Sequence, residues 1–198
     1  MKKSEKTKEK ILKMGMDLVS FKGLIDLSIG DMAKACGLSR SGLIAHFKNR
    51  EEMQIEILKF SESEFLDHVI KKSYTKDPMD NLKALSKNWL NWTKKHEIHL
   101  KGGCPFIKAA IEFKDTTDSP VRSFMEDQQR RLLLYIADIA NRLKTDGYFD
   151  TTRASDQFAY EIYSIYLGHT IMKGLLKEED ADEKFQVTLR ELIQKFKK

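Results

Sequence analysis

The hydrophobic residues of this chain recur at intervals of three and four positions from one end to the other. Near the N-terminus, Ile11, Leu12, Leu18 and Val19 follow this spacing, and Gly23 closes the segment. Apolar side chains at this interval lie on one face of an α-helix. No stretch alternates polar and apolar residues as a half-buried strand does. The pattern therefore predicts an all-α protein.

Capping residues divide the first sixty positions into four predicted helices. Ser28 precedes the second helix, and an acidic residue three positions later completes the pattern of a capping box. Gly37 ends that helix, and Ser39 caps a third one that we expect to run to about residue 46 or 47. The fourth begins near Arg50. Two short helices joined by a tight glycine turn, within a three-helix unit, form a helix-turn-helix.

The rest of the chain is predicted to form longer helices. Asp77 and Pro78 supply a cap and a first-turn proline. Further helices are predicted at about 106–113, from Pro120 to Gly147, at 152–177 and at 182–197. Between them, Gly102 and Gly103 permit a tight passage of the backbone.

Composition and charge narrow the class of protein. The chain has 198 residues, of which 41% are hydrophobic and 33% charged, as in a globular protein. No apolar run approaches the roughly 18 residues of a membrane span, so we expect a cytoplasmic protein with no membrane partner. Residues 1–60 hold twelve Lys or Arg against eight Asp or Glu, most of the net charge of +5. A basic N-terminal end favours a polyanionic partner.

The segment GLSRSGLIAHFKNREEM, residues 37–53, has the features of a recognition helix. The second helix of a helix-turn-helix lies in the major groove of DNA. Ser39 and Arg40 stand at its start, where positive charge and backbone N–H groups favour a phosphate. Gly42 and Ala45 keep the surface that faces the groove slim, and Leu43 and Phe47 are predicted to face inward.

The segment from Thr7 to Met53 resembles the DNA-binding domain of tetracycline-repressor (TetR) family transcription regulators. The resemblance is carried by ILKMGMDLVSFKG and by LSIGDMAKACGLSRSGLIAHFKNREEM. It implies an N-terminal three-helix, helix-turn-helix DNA-binding domain at residues 1–50. It also implies a larger helical domain for ligand binding and dimerisation at residues 51–198.

Three positions depart from the pattern of the family. Ile44 stands where an aromatic residue is usual, most often a tyrosine that contacts phosphate. Ser41 stands where glycine is common, and Arg50 replaces the usual lysine before the acidic pair. The missing hydroxyl group at Ile44 puts one backbone contact in doubt, and packing is the alternative role for this side chain.

The resemblance also implies which residues contact double-stranded operator DNA. The predicted set is Ser28, Ser39, Arg40, Ser41, Gly42, His46 and Lys48. Helix capping is the alternative role for Ser28 and Ser39, and a packing role is equally favoured for His46. An exposed guanidinium suits guanine and phosphate equally, which makes Arg40 the first choice for a DNA contact.

The helix predicted at 152–177 is apolar on more than one side, so both sides must be buried. The resemblance implies that it pairs with the last helix and their copies in a four-helix dimer interface. The predicted interface residues are Phe158, Ile162, Ile165, Tyr166, His169, Leu189 and Leu192. A fully internal helix in a monomer is the alternative.

Large apolar side chains in the C-terminal part suit a pocket for a small apolar or aromatic molecule. The predicted lining is Trp89, Trp92, Phe106, Phe113, Phe124, Met125, Gln128 and Tyr163. The alternative for each residue is a place in the core.

Together these features predict a homodimeric transcriptional regulator, usually a repressor in this family, that an effector releases from its operator. The alternative is an effector-independent DNA-binding protein whose C-terminal domain only dimerises or binds a protein partner. We expect no enzyme and no cofactor, because no catalytic motif occurs. His96, His99 and Cys104 match no standard pattern of metal ligands, and a packed thiol is favoured over a redox-active one for Cys104.

Overall fold

A computed structural model describes residues 3–94, 100 and 102–198 of the chain. Its α-helices are α1 Lys3–Lys22, α2 Ile29–Ala35, α3 Arg40–Ile44, α4 Arg50–Phe65, α5 Lys71–Ser73, α6 Pro78–Asn91, α7 Pro105–Phe113, α8 Pro120–Thr145, α9 Ser155–Gly174 and α10 Ala181–Phe196. A π-helical segment, Leu66–Ile70, joins α4 to α5. Among the described residues the only strand-like pairing is one isolated bridge between Phe149 and Lys197. The all-α prediction is confirmed.

The predicted caps lie where the helices begin. The side chain of Ser28 accepts a hydrogen bond from the Asp31 amide at 3.1 Å. Asp77 accepts one from the Asp80 amide at 2.8 Å. Gly37 and Gly147, with φ of +65° and +78°, follow α2 and α8 in the left-handed conformation that glycine adopts readily. The local rules of helix initiation and termination therefore account for most of the boundaries.

Helix α3 is shorter than the sequence predicts. It ends at Ile44 instead of continuing to residue 46 or 47. The amide of His46 bonds to the carbonyl oxygen of Leu43, three residues back, at 2.9 Å, so the last turn tightens and the helix stops. Asn49 then caps α4 through a 2.7 Å hydrogen bond from the amide of Glu52.

The chain forms two compact units. The first contains the described residues of 1–67 and 93–127, and the second those of 68–92 and 128–198. The boundary predicted at residue 50 is a division of function, and it stays a prediction.

The core of the first unit is formed where α1 and α4 meet the helix-turn-helix. Val19, Met32, Leu43 and Ile57, from four different helices, are fully buried. A Cβ atom on Gly15 would lie 2.6 Å from Cδ1 of Ile57, so a larger residue there would require the side chain of Ile57 to move. Burial of such side chains contributes about 1.5–3 kcal/mol each.

Side chains of α4 and α7 bind the backbone of the turn between α1 and α2. Gln54 donates to the carbonyl oxygen of Leu24 at 2.6 Å, and Arg50 donates through Nε to that of Leu27 at 3.1 Å. Glu112 of α7 accepts from the amide of Leu24 at 2.7 Å and from that of Ile25 at 3.1 Å, both through Oε2. We call these two bonds of Glu112 the α7 clasp.

Two further contacts attach α7 and the segment before it to the end of α1. Lys108 donates to the carbonyl oxygen of Phe21, and the amide of Gly102 donates to Oγ of Ser20 at 3.2 Å. A Cβ atom on Gly102 would lie only 1.9 Å from the carbonyl oxygen of Ser20. The tight passage predicted at this glycine is confirmed, because only a residue without a side chain fits against α1.

The α7 clasp also requires a glycine directly before Leu24, where the carboxylate of Glu112 approaches the turn. Gly23 has φ of +96°, and a Cβ atom there would lie 1.9 Å from Oε1 of Glu112. Gly23 thus supplies both a left-handed turn and the space that the carboxylate occupies.

The second unit is organised around aromatic and polar contacts of its own. The rings of Phe149, Phe158 and Phe196 pack with centroid distances of 5.1–5.7 Å, which joins α9, α10 and the turn before α9. Arg142 of α8 donates to Oδ1 of Asn81 at 3.1 Å and to the carbonyl oxygens of residues 75 and 76. These bonds hold the turn that precedes α6.

We expect Glu112→Ala to lower the free energy of unfolding by about 1.5–3 kcal/mol, because it removes a charged acceptor and leaves the buried amide of Leu24 unpaired. Glu112→Gln keeps one acceptor oxygen and should cost less. Urea denaturation measures both. Glu9→Gln, which removes an exposed carboxylate from α1, is the control and should change stability little. Equal stability of all three variants would show that the clasp contributes nothing.

Candidate nucleic-acid interface

Helix α3 has one buried side and one exposed side. Leu43 is fully buried and Phe47, just beyond the helix, is 2% exposed, as predicted. The exposed residues of this segment are Ser39, Arg40, Ser41, Ile44, Ala45, Lys48 and Asn49. The helix is therefore held by its apolar side and presents a mixed basic, hydroxyl and apolar surface.

The hydroxyl and amide groups at the start of α3 already have partners within the helix. Oγ of Ser39 accepts from the amide of Gly42 at 3.0 Å and lies 3.0 Å from Oγ of Ser41. The capping role weighed for Ser39 is present. Any contact of Ser39 or Gly42 with DNA would have to be made alongside these bonds, or through carbon atoms.

Both the hydroxyl group and the amide of Ser28 form hydrogen bonds within the capping box. Its Oγ donates to the carboxylate of Asp31 at 2.5 Å, and its amide donates to the same carboxylate at 3.1 Å. The hydroxyl hydrogen bond and the backbone hydrogen bond from Ser28 lower the pKa of Asp31. A phosphate at this position would compete with an ionised carboxylate for the one hydroxyl proton. Capping is thus the role that the geometry of Ser28 supports.

Two predicted contacts lie at the far end of the motif. His46 is half-buried, and its ring centroid lies 6.4 Å from that of Phe47. The amide of Lys48 donates to Glu52 at 2.5 Å, while its side chain is exposed. Lys48 and Arg40 therefore place one exposed cationic side chain at each end of the α3 surface, and His46 lies partly beneath it.

Two of the departures from the family pattern have a structural explanation. Arg50 is the residue whose Nε binds the carbonyl oxygen of Leu27, so its guanidinium serves the fold. Ile44 does not pack into the core, because 51% of it is exposed. The predicted DNA-binding set omits Ile44, although its position four residues after Arg40 places it on the same helical face.

The predicted pocket residues are distributed between the two units. The first unit contains Phe106, Phe113, Phe124 and Met125. Phe124 is half-buried and the other three are buried. Trp89, Trp92, Gln128 and Tyr163 belong to the second. There Trp89 stacks on Tyr166 with centroids 4.0 Å apart, and Tyr163 donates to Gln129.

Most of the predicted dimer residues are buried by the chain itself. Phe158, Ile162, Tyr166, Leu189 and Leu192 are at most 5% exposed, and Ile165 and His169 are half-buried. Oδ1 of Asp182 lies 2.8 Å from Nε2 of His169. A second copy would find little of these side chains to contact. The exposed apolar residues of α9 lie elsewhere on the helix, at Tyr160, Ile171, Met172 and, just after it, Leu175 and Leu176.

Neither a membrane span nor a metal centre is present in the described part of the chain. None of the described helices combines the length and apolarity that crossing a bilayer requires. No group of three or more His, Cys, Asp or Glu side chains converges there. His96 and His99 lie outside the described residues, and Cys104 is buried at the start of α7.

A basic helix-turn-helix at the N-terminus and a larger set of helices after it define a class of DNA-binding proteins. Residues 78–189 match the family model described as the C-terminal domain of tetracyclin repressor-like proteins. The chain therefore belongs to the TetR family of transcriptional regulators, which are DNA-binding proteins and not enzymes.

Individual relatives agree with this membership. The transcriptional regulator AcrR of Shigella flexneri is 30% identical over 84 residues, which cover 41% of this chain and 39% of AcrR. A TetR regulator from Chloroflexus aurantiacus has a similar structure, with a TM-score of 0.86 and 20% identity. One from Cytophaga hutchinsonii has a TM-score of 0.83 and 18% identity. Each structural match covers 100% of this chain and 98% of the other, so the fold is shared over the full length.

We expect Arg40→Ala to weaken sequence-specific DNA binding by about 1–3 kcal/mol, because it removes an exposed cation from the surface of α3. Fluorescence anisotropy with a specific duplex measures the change. Arg130→Ala removes another exposed guanidinium, from α8, and is the control for net charge. Equal affinities of the two variants would remove Arg40 from the interface.

Proposed function

We propose that this protein is a cytoplasmic homodimeric repressor that binds operator DNA through α3 and leaves it when a small, largely apolar or aromatic effector binds. In this proposal residues 1–50 bind DNA and residues 51–198 bind the effector and dimerise. The observation that carries the DNA-binding part is the exposed surface of α3, where Arg40 and Lys48 flank small and apolar side chains. Cations at the ends of such a surface suit the phosphates on either side of a major groove.

The proposed DNA-contacting residues fall into two groups. Arg40 and Lys48 have exposed cationic side chains, and Ser41 has an exposed hydroxyl group. Ser28, Ser39 and Gly42 act mainly by capping, which fixes the direction in which α3 is presented. His46 would contact DNA only with the edge of its ring that stays exposed.

Support for a dimer comes from the exposed side of α9. Tyr160, Ser164, Gly168, Ile171 and Leu175 follow one another at intervals of three and four, so they share one helical face. Tyr160 is 66% exposed and Leu175 is 71% exposed. A large apolar face interrupted by small residues suits close contact with an identical helix. We place the interface on this exposed face, because five of the residues predicted from the sequence are at most 5% exposed within one chain.

We expect Gly168→Arg to convert the dimer to a monomer. Nothing lies within 4 Å of a Cβ atom built on Gly168, so one chain accommodates the side chain and only a partner copy would not. Light scattering should give twice the 23.0 kDa of the chain for the wild type and a single chain for the variant. Leu134→Arg adds the same charge at a 69% exposed site on α8 and should leave the dimer intact. A wild-type mass of 23.0 kDa, or a variant that stays dimeric, would overturn the proposed interface.

Support for an effector is less direct and comes from the aromatic residues of the second unit. The ring of Trp89 lies 6.2 Å from that of Tyr163 and 4.0 Å from that of Tyr166, and Tyr163 is half-buried. Trp89 and Tyr166 are buried, so the partly accessible ring of Tyr163 is the one that an aromatic ligand could stack on. The alternative is a regulator without an effector, whose C-terminal part only dimerises or binds a protein partner.

We expect an effector to raise the melting temperature, because a ligand that binds only the folded state stabilises it. The screen would use apolar and aromatic compounds, followed by anisotropy to test which of the hits release the protein from DNA. Hits that stabilise and release support the repressor, and hits that stabilise without release show binding that is not regulatory. If no compound class stabilises the protein, the effector-independent alternative is favoured.

The operator experiment tests the function as a whole. Fluorescence anisotropy would compare DNA from immediately upstream of the gene with a scrambled duplex over a range of salt concentrations. A steep salt dependence together with sequence preference supports operator binding. Equal weak binding to this duplex, to the scrambled one and to a pool of random sequences would contradict it.

A further inference from the structure

Ile44 is the one large apolar residue on the exposed surface of α3. It is 51% exposed, while its neighbour Leu43 is fully buried. The buried side of α3 is complete without Ile44, because Leu43 and Phe47 already fill it. Half of a branched apolar side chain is therefore directed outward on the helix that the family uses for DNA.

The residues around Ile44 suggest what covers it. Arg40 lies one turn before Ile44 and Lys48 four residues after it, and both are exposed. The exposed residues Ser41 and Ala45 have smaller side chains than Ile44. A major groove about 12 Å wide admits an α-helix. Cations on both sides of a short apolar projection complement a groove bordered by phosphates better than they complement an apolar protein surface.

The chemical groups in the major groove of DNA include one kind of apolar partner for the side chain of Ile44. Isoleucine cannot donate or accept a hydrogen bond, so it gains nothing from a phosphate or from the polar edges of guanine, adenine and cytosine. The apolar feature of the major groove is the C5-methyl group of thymine.

We propose that Ile44 determines part of the operator sequence by contacting the 5-methyl group of a thymine. This inference rests on the proposed operator binding and adds a base preference to it. The family's usual aromatic residue contacts the DNA backbone, so the substitution converts a contact that tolerates any sequence into one that favours thymine.

The test replaces thymines by deoxyuridine, which removes only the methyl group. Duplexes are first selected from a random-sequence pool with the full-length wild-type protein. Each thymine of one half-site is then replaced in turn, and affinity is measured by anisotropy. We expect one position at which deoxyuridine weakens wild-type binding about fourfold, the value for loss of one buried methyl group.

The variant Ile44→Ala makes the assignment specific. It should bind the thymine duplex more weakly than the wild type and should bind the thymine and deoxyuridine duplexes equally at that position. Ile44→Val keeps a branched apolar side chain and should keep the preference. Ile111→Ala, at a 56% exposed isoleucine of α7, is the matched control and should keep the full wild-type difference. Thermal melts check that each variant is folded.

The outcomes separate this inference from the function on which it rests. A selected duplex whose affinity is unchanged by deoxyuridine at every thymine overturns the thymine contact and leaves operator binding intact. A deoxyuridine effect that persists in Ile44→Ala assigns the methyl contact to another residue and also overturns the proposal. If selection yields no preferred sequence, operator binding itself fails.

Discussion

The DNA-binding part of this protein depends on how the backbone between α1 and α2 is satisfied. Within this turn the amide of Leu27 donates to the carbonyl oxygen of Leu24 at 3.2 Å, and further backbone groups find partners on other helices. Gln54, Arg50 and Glu112 supply the partners for Leu24, Ile25 and Leu27, in hydrogen bonds of 2.6–3.1 Å. A buried backbone group without a partner is costly, so these side chains stabilise the observed conformation of the turn. Because the turn leads directly into the capping box of α2, the direction of α2 follows from it, and with it that of α3.

The surface of α3 shows how few groups are left for recognition once the fold is satisfied. Hydroxyl groups at positions 28 and 39, which a motif comparison assigns to DNA, accept or donate bonds that begin helices. Arg50 is exposed, but its Nε binds the carbonyl oxygen of Leu27 in the turn. The exposed residues of this segment include two cations, Arg40 and Lys48, and one large apolar residue, Ile44. In the proposed complex with DNA, the cations contact phosphates, and the few other exposed positions supply the sequence selectivity.

The sequence predicts the helices and their ends well, because caps and terminal glycines act locally. Ser28, Asp77, Gly37 and Gly147 are all found in the roles that their residue types suggest. The sequence also predicts a tight passage of the backbone at Gly102. It does not predict that this passage lies against α1. The clasp of Glu112 could not be predicted, because its partners lie 87 and 88 residues away and a carboxylate on a short helix usually faces solvent.

The faces of α9 were beyond prediction for a related reason. When a helix is apolar on several sides, its periodicity does not indicate which side the chain buries and which side is left exposed. Phe158 and Ile162 are buried, and Tyr160, between them in sequence, is exposed. The positions of α10 and of the ring of Phe149 determine which of these faces of α9 is buried. For the same reason Ile44 could be assigned to the surface only from the structure.

The α7 clasp has a consequence for how such proteins exchange parts. A graft that joined the first 50 residues of this chain to the remainder of a relative would transfer the amides of Leu24 and Ile25 without their acceptor, Glu112. A foreign N-terminal segment on this chain would meet the opposite problem, since any side chain in place of Gly23 would collide with the carboxylate. Gly23, Gly102 and Glu112 therefore have to be inherited as a set, although they are far apart in the gene. A chimeric regulator with a new DNA specificity is more safely made by changing the exposed residues of α3 than by exchanging whole segments.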